Sequence, residues 1–430
     1  MSVAAEDART PTGPSASFPA APPSALAAVV VAAVFALTPV LAYVWTLGFS
    51  AIVALAGLIA LPLLFRPRRP SLGMALLLAL ALWALASMLW SVATPRQLDF
   101  SRYKAIEQLT GPKLVFQLAL YGAFIAAAAR LSRQAGARAS LVLCLGMAAL
   151  SALFLIEAVF KAPLYQAIRA AAGQPTRPDW AMRDVARSAY VLALLFWPAA
   201  VRFGQPRLRP LLAVLVIATL AGAYLLNADA PFAALAVSTV VFLAVRFLGR
   251  PAVLTLMGGA LLYFLGAPLL ILLLDQGQLI HPAPDDIRVQ SWAIRLDIWR
   301  FAVQRIVEHP FFGWGLDASR VFGPAIPLHT HNAAIQLWLE LGAVGAGLAA
   351  LFWAWLTGQI DKLEGEDRPA AAASAAAASA YLTIGALSFG VWQEWWLALG
   401  ALTAVVCIVL ARARQPAPAK AGSREPPGLP

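Results

Sequence analysis

The sequence predicts an all-α polytopic membrane protein with about twelve transmembrane helices. The 430-residue chain is 61% hydrophobic and only 12% charged, with a mean hydropathy of +0.75. Soluble domains are nearer half apolar and a quarter charged. Long apolar runs recur along the chain, and about 20 helical residues cross the hydrocarbon core of a bilayer. Basic residues cluster in alternate connections between these runs, as expected for a chain that crosses a membrane repeatedly.

Twelve apolar runs are assigned as spans, and two of the connections between them, at 227–230 and 391–394, are tight turns. The runs cover 26–46, 48–65, 72–92, 112–130, 139–160, 185–202, 210–227, 230–248, 252–274, 332–356, 371–391 and 393–411. Residues 1–23 and 413–430 are rich in Ala and Pro and are predicted to be disordered cytoplasmic tails. The domain plan is therefore helices 1–9 in 24–274, a polar loop in 275–330, and helices 10–12 in 331–412.

The charge distribution predicts the orientation. With the N-terminus inside, the inner loops and tails carry 18 of the 32 basic residues but 7 of the 21 acids, so the formal +11 lies inside. This satisfies the positive-inside rule and places both termini in the cytoplasm and residues 275–330 outside. The basic balance thus reports topology rather than nucleic-acid binding. The two Cys both fall in predicted spans, too few for a disulfide framework or a zinc site.

All four His lie between 281 and 331, around an amphipathic helix predicted over 290–308. Its polar side is Asp297, Arg300, Gln304 and Glu308, and its apolar stripe is Trp292, Leu296, Trp299, Val303, Ile306 and Val307. Such a helix suits a membrane surface, with Trp at headgroup depth.

Two arginines of this helix are candidate phosphate ligands. Arg295 falls at the edge of the apolar stripe, and Arg288, seven residues earlier, projects similarly. An Arg directed at the membrane is costly unless it meets an anion, and guanidinium matches phosphate geometry. The alternatives are snorkelling, or pairing with Asp285 or Asp286.

The segment His309–Gly315 reads as a structural turn that ends the helix at Pro310, and His281 reads as a loop residue. His331 begins the tenth span, where the positive end of the helix dipole favours a neutral imidazole, so it could act as a general base. The alternative is a capping or interfacial His. Glu340 projects from about the opposite face and is expected to partner another span.

The glycines Gly342, Gly345 and Gly347 follow on the same helix, and their spacing predicts close helix packing. Arg187, just inside the sixth span, is a second ionisable group predicted at the depth of His331. Its alternative is pairing with Asp184 or Glu157.

The pattern His331-Asn332, nine residues, Gly342, two residues, Gly345 resembles the H-[NSQ]-x9-G-x2-[GTY] signature of bacterial O-antigen ligases, which share a superfamily with the O-antigen polymerases. The stretch from Arg295 to Gly315 is similar to what precedes that signature. The family's R-x3-L element appears only loosely, which leaves Arg288 and Arg295 both open. Arg187 resembles the family's other phosphate-binding Arg.

The resemblance implies a GT-C-like glycosyltransferase in the inner (cytoplasmic) membrane of a Gram-negative bacterium. It would move a glycan from undecaprenyl diphosphate to lipid A–core on the periplasmic face, with inversion and without metal or cofactor. The implied catalytic residues are His331, Arg295 and Arg187. The implied substrate-binding residues are Arg288, Asn332, Arg183, Trp299 and His329.

Three alternatives stay open at the level of the sequence. An O-antigen polymerase or a protein O-oligosaccharyltransferase would use the same donor with a different acceptor. A transporter or flippase of lipid-linked glycans, from a different class, would also use Arg and His at membrane depth, although such proteins often show two-half repeats, and none is visible here.

Overall fold

The computed structural model describes residues 24–63, 71–95, 109–276 and 287–415, with side chains of 276–291 excluded. Within these ranges the secondary structure is entirely helical. The predicted tails at 1–23 and from 416, His281, Asp285 and Asp286 lie outside the described residues, as does the Arg288 side chain. The all-α class predicted from the sequence is confirmed.

Fifteen α-helices follow one another in the described ranges. They are α1 (Ala25–Val44), α2 (Phe49–Ala60), α3 (Leu72–Ser87), α4 (Thr110–Ala128), α5 (Arg133–Phe160), α6 (Pro163–Ala171), α7 (Pro178–Ala186), α8 (Ser188–Phe203), α9 (Arg209–Leu225), α10 (Asp229–Leu248), α11 (Arg250–Gln276), α12 (Ile287–Glu308), α13 (Ala333–Glu366), α14 (Arg368–Leu387) and α15 (Glu394–Arg414).

Eleven helical segments of the described chain are long and apolar enough to cross a membrane, which makes this a multi-pass membrane protein. The third predicted span, 72–92, is instead the 16-residue helix α3, which ends at Ser87. The tenth predicted span, 332–356, is shorter than the observed helix, because α13 continues to Glu366. The remaining predicted spans each correspond to one long apolar segment, within a few residues at most ends.

The buried core forms two clusters that meet at α14. One joins α1, α2, α4, α5, α8 and α15, and the other joins α3, α11, α12 and α13. Helix α14 is alanine-rich, and Ala370–Ala377 is buried almost completely against neighbours that include α8 and α10. Small side chains permit this close approach of helix backbones.

The two ends of the bundle differ in their polar residues. We call the end that holds residues 161–187, 309–332 and 388–393 the histidine end. At the opposite end, Arg250 pairs with Asp361 at 3.4 Å and Arg414 pairs with Asp367 at 2.7 Å. These pairs are partly exposed, whereas the polar groups around His331 are largely enclosed.

Candidate active site

His331 occupies a strained position at the start of α13. Its φ of +55° lies in the left-handed region, which only a few per cent of non-glycine residues adopt, with Asn, Asp and His the most frequent among them. The strain is held by the next residue, Asn332, whose Oδ1 caps the helix by accepting from the Ile335 amide at 3.1 Å. The Tyr263 hydroxyl donates to the same oxygen at 3.1 Å and accepts from the Ala334 amide.

A backbone carbonyl fixes the tautomer of His331. Its Nδ1 lies 2.9 Å from the Ser388 carbonyl oxygen, and a carbonyl can only accept, so Nδ1 carries the proton. In the neutral ring Nε2 then keeps its lone pair. Burial lowers the pKa of His331 below 6.5; the hydrogen bond to Ser388 opposes this, and the charge of Arg295 adds to it. The ring is thus a neutral proton acceptor near pH 7.

His329 is a buried neighbour with the opposite tautomer. The His331 amide donates to its Nδ1 at 3.2 Å, so Nε2 carries the proton in the neutral ring. Gln393 Nε2 lies 3.0 Å from that Nε2, and exchanging the nitrogen and oxygen of the Gln393 amide lets its oxygen accept the proton. Burial first, then His331 and Arg320, lowers the pKa of His329 to about 3. His329 is therefore neutral and positions the backbone of His331.

The amphipathic helix α12 packs on protein rather than on lipid. Trp299 is buried, and its Nε1–H donates to the Thr330 carbonyl at 2.7 Å. This bond holds α12 against the segment that carries His329 and His331. Leu296, Val303 and Ile306 are also buried, against a cluster that includes α11 and α13. The predicted apolar stripe is therefore real, and Trp299 in it packs against protein rather than facing lipid headgroups. Val307 is 68% exposed and lies outside the packed stripe.

Arg295 lies at the edge of the stripe, as predicted. It is half-buried, and its guanidinium carbon lies 4.8 Å from the centre of the Trp292 ring. Burial lowers the pKa of Arg295, while Tyr190 and Asp229 oppose that shift. Asp229, in the tight turn between α9 and α10, is thus a nearby anion that the sequence argument did not consider.

Arg187 lies at the junction of α7 and α8. It pairs with Asp184 at 3.2 Å and keeps 48% of its side chain exposed, so the alternative pairing with Asp184 is the one observed. The charges of Arg187 and Arg295 both act on Tyr190, and the charge of Arg295 also acts on His331. The Tyr190 ring packs on Phe389, the residue after the Ser388 that holds His331. These contacts place Arg187, Arg295 and His331 at the same end of the bundle. Arg183, one turn earlier, is exposed.

Gly342 breaks α13 instead of forming a packing surface. Its φ of +64° and ψ of −163° are not helical, and a Cβ there would collide with the backbone of Phe311 and Phe312. Gly347 has open space around it, so the predicted packing role is wrong for Gly347, whereas Gly342 does pack closely, against a turn rather than against a helix.

The His309–Gly315 turn fills the break at Gly342. The Trp314 amide donates to Leu339 O at 2.9 Å, and the Ala343 amide donates to Pro310 O at 2.8 Å. These backbone groups freed by the break thus find partners in the turn, and the Leu341 carbonyl accepts from Trp83 Nε1 at 3.1 Å. The structural interpretation of this turn is confirmed.

Glu340 is fully buried and joins three segments. Its carboxylate accepts from Ser319 Oγ at 2.6 Å, from Gln336 Nε2 at 3.0 Å and from Trp392 Nε1 at 2.7 Å. It also accepts from the Asp317 amide at 3.0 Å. Glu340 therefore partners polar groups outside its own helix, as predicted, and holds the 388–393 turn against α13.

The 388–393 turn is the part of the site that the sequence argument missed. It supplies Ser388 to His331, Gln393 to His329 and Trp392 to Glu340. The dipeptide Trp392-Gln393 between two apolar spans was a weak signal, because polar-capable residues at a span end are common. Among the described residues, no group of three or more His, Cys, Asp or Glu could hold a metal ion.

Comparisons with known proteins cover the region that holds most of this site. The family model described as "O-Antigen ligase" matches residues 212–350, which include Arg295, His331 and Gly342. No solved structure matches.

Curated relatives from Rickettsia carry the name "Putative polysaccharide ligase". The R. conorii protein is 28% identical over 269 residues, covering 55% of this chain and 60% of its own length. Those of R. prowazekii and R. bellii are 32% and 35% identical over 125 and 124 residues, covering 26% and 25% of this chain and 30% and 29% of their own lengths. The chain therefore spans less than two thirds of the curated relatives it matches. The family model and these relatives point the same way: over residues 212–350 the chain is similar to the O-antigen ligase family.

Proposed function

We propose that this protein is an O-antigen ligase that transfers a glycan from undecaprenyl diphosphate to a sugar hydroxyl of lipid A–core. The observation that carries the proposal is the tautomer of His331. Because Nδ1–H is committed to the Ser388 carbonyl, Nε2 is the basic atom of a neutral imidazole. A general base beside two arginines suits attack by a hydroxyl on a carbon that bears a diphosphate.

The proposed reaction needs no external energy. The acceptor hydroxyl attacks the anomeric carbon, the bond from that carbon to the phosphate oxygen breaks, and the hydroxyl proton passes to His331 Nε2. Attack opposite the leaving group inverts the anomeric centre. The electron pair of the broken bond leaves with the diphosphate, where Arg295 and Arg187 stabilise the added charge. This assignment of charge stabilisation to guanidinium groups makes the proposed reaction metal-independent.

The remaining predicted site residues take supporting roles in this proposal. Asn332, Trp299 and His329 place His331 through the cap, the Thr330 carbonyl and the His331 amide. Arg183 is exposed on the approach to Arg187 and would meet the donor first. Arg288, whose side chain lies outside the described residues, stays a proposed second phosphate ligand from the same helix. We further place the site on the periplasmic face of the inner membrane of a Gram-negative bacterium, with both termini cytoplasmic, on the charge distribution.

The test uses lipopolysaccharide gels from a strain that lacks the gene and carries plasmid copies. We expect Arg187→Ala, Arg295→Ala and His331→Ala each to abolish the glycan ladder while the protein still inserts. Full ladders from all three variants would contradict the catalytic assignment. Long glycans on the carrier with bare core identify a ligase, and single repeat units on the core identify a polymerase. Transfer by purified protein from donor to acceptor in EDTA separates an enzyme from a transporter and tests metal independence.

A further inference from the structure

The helical hairpin of residues 161–187, formed by α6 and α7, carries more positive charge than its position explains. It contains five basic and two acidic residues, a net charge of +3. In the proposed orientation it lies on the outer side, where the positive-inside rule predicts few basic residues. Its five bases are Lys161, Arg169, Arg177, Arg183 and Arg187.

Only part of this charge is neutralised. Arg177 pairs with Asp179 at 3.2 Å and Arg187 pairs with Asp184 at 3.2 Å, which uses both acids of the hairpin. Lys161, Arg169 and Arg183 have no ion pair among the residues that the structure describes. The hairpin therefore presents three cations available to an external anion, two of them fully on the surface.

The hairpin is held rigidly to the bundle. Buried Glu157 accepts from the Leu164 and Tyr165 amides at 3.1 and 3.0 Å and from the Tyr43 hydroxyl at 2.8 Å, which caps the start of α6. Lys161 and Ala162 turn the chain with φ of +63° and +60°. This conformation costs about 1–2 kcal/mol per residue, so the surrounding contacts must hold it. A preformed surface loses little entropy when a ligand binds.

A second contact joins the two helices of the hairpin to each other. The Tyr165 hydroxyl donates to Asp184 at 3.1 Å, and the charges of both Arg169 and Arg187 act on Tyr165. The cationic surface is thus continuous from α6 to Arg187, which borders the candidate active site. Trp180 is 62% exposed on α7, as expected for a residue at the level of lipid headgroups.

We propose that this hairpin docks the phosphate groups of the acceptor glycolipid in the outer leaflet. The proposal rests on the proposed function. It names a second anion site, because the donor diphosphate must bind near Arg295 and His331, on the side of Arg187 away from Lys161 and Arg169. Headgroup phosphates lie at the depth of Trp180, beside Lys161 and Arg169. Guanidinium and ammonium groups bind phosphate strongly, so the hairpin would hold the acceptor with its sugars directed toward His331.

The test measures lipid binding by purified protein in nanodiscs of neutral lipid, with no donor present. The variant combines Lys161→Asn, which tolerates the left-handed conformation, with Arg169→Gln. Neutralising one basic residue near an anionic surface weakens binding roughly fivefold, so the double variant should bind bis-phosphorylated lipid A about 30-fold more weakly. Arg133→Gln with Arg138→Gln, two exposed bases at the opposite end, is the matched control and should bind within about twofold of wild type.

Phosphate-free lipid A separates phosphate recognition from general lipid binding. The proposal expects it to bind wild type weakly and the double variant equally weakly. Equal affinity of wild type for the two lipids, or an unchanged affinity of the double variant for bis-phosphorylated lipid A, overturns it. A parallel titration uses undecaprenyl diphosphate in place of lipid A. If the double variant lost binding only in that titration, the hairpin would belong to the donor and the proposal would be overturned. Since no transfer is measured, a failure of the proposed reaction does not affect this result.

Discussion

The two ends of this bundle use their polar residues differently. At the opposite end, Arg250, Arg368 and Arg414 pair with acids in partly exposed, conventional ion pairs. At the histidine end, His329, His331 and Glu340 are enclosed and bond mainly to neutral backbone and side-chain groups. Exposed ion pairs contribute about 0–1 kcal/mol. Enclosed polar groups cost about 1–3 kcal/mol each when a partner is lost, which suggests that the histidine end is maintained for chemistry.

The largest effect at the histidine end is expected from His331→Asn. Asn tolerates the left-handed backbone at this position and can still donate to the Ser388 carbonyl, but it supplies no base. We expect a fall in transfer rate of about 1,000-fold, within the range for loss of a general base, and a melting temperature near that of wild type. The measurement is in vitro transfer with purified protein. Activity within tenfold of wild type would remove His331 from the proton transfer.

Arg295 and Arg300 lie on the same helix, α12. Comparing their Ala variants distinguishes a specific role of Arg295 in transfer from a general effect of positive charge on this helix. Arg295 faces the site, whereas Arg300 pairs with Asp275 at 2.6 Å and Asp297 at 3.0 Å. We expect Arg295→Ala to lower the transfer rate about 100-fold through lost stabilisation of the leaving group. Arg300→Ala should stay within about threefold. Equal losses in the same transfer assay would mean that the helix contributes general charge only.

Gly342 and Gly347 test the break in α13. Gly342→Ala adds a Cβ against the Phe311 backbone in a conformation that disfavours side chains, so it should lower the free energy of unfolding by roughly 3 kcal/mol. Gly347→Ala lies in open helix and should be neutral or raise it by up to about 1 kcal/mol. Thermal unfolding in detergent measures both. Similar melting temperatures for the two variants would contradict the insertion of the His309–Gly315 turn into the break in α13.

Acid should weaken the histidine end selectively. Both histidines have a lowered pKa in the folded state, so below about pH 6.5 the unfolded chain binds more protons and folding stability falls as pH falls. We expect transfer to lose activity with a midpoint below pH 6.5, because His331 must be neutral. His329→Gln, which still accepts from the His331 amide, should flatten the dependence of melting temperature on pH. An acid midpoint above 6.5 would contradict the burial of His331.

The smallest effect is expected at the opposite end. Removing the Arg250–Asp361 pair by Asp361→Asn should change the free energy of unfolding by about 0.5 kcal/mol, because the pair is partly exposed. Transfer activity should stay within twofold of wild type. A large loss of activity in this variant would mean that the two ends are coupled through the bundle.

The length of the apolar runs was sufficient to predict most of the long helices, because a helix that crosses a bilayer needs a long apolar run. That His331 and Arg187 lie at the same end of the bundle also followed from span boundaries. Three features did not follow. The bond from Ser388 to His331 and that from Trp392 to Glu340 join residues more than 50 positions apart, and such pairings depend on helix packing that one sequence does not reveal. The role of Gly342 was missed because a glycine in an apolar helix is equally compatible with packing and with a break.

The backbone hydrogen bonds between the His309–Gly315 turn and the break in α13 have a consequence for hydrogen exchange. The amides of Trp314, Gly315, Ala343 and Val344 donate across the break, to Leu339, Glu340, Pro310 and Phe311. Two of them belong to a loop, yet all four depend on a helix deep in the bundle. Their exchange with deuterated water should therefore be as slow as that of helical amides, and all four should open in one cooperative event. In its exchange kinetics, the turn would then behave as part of α13.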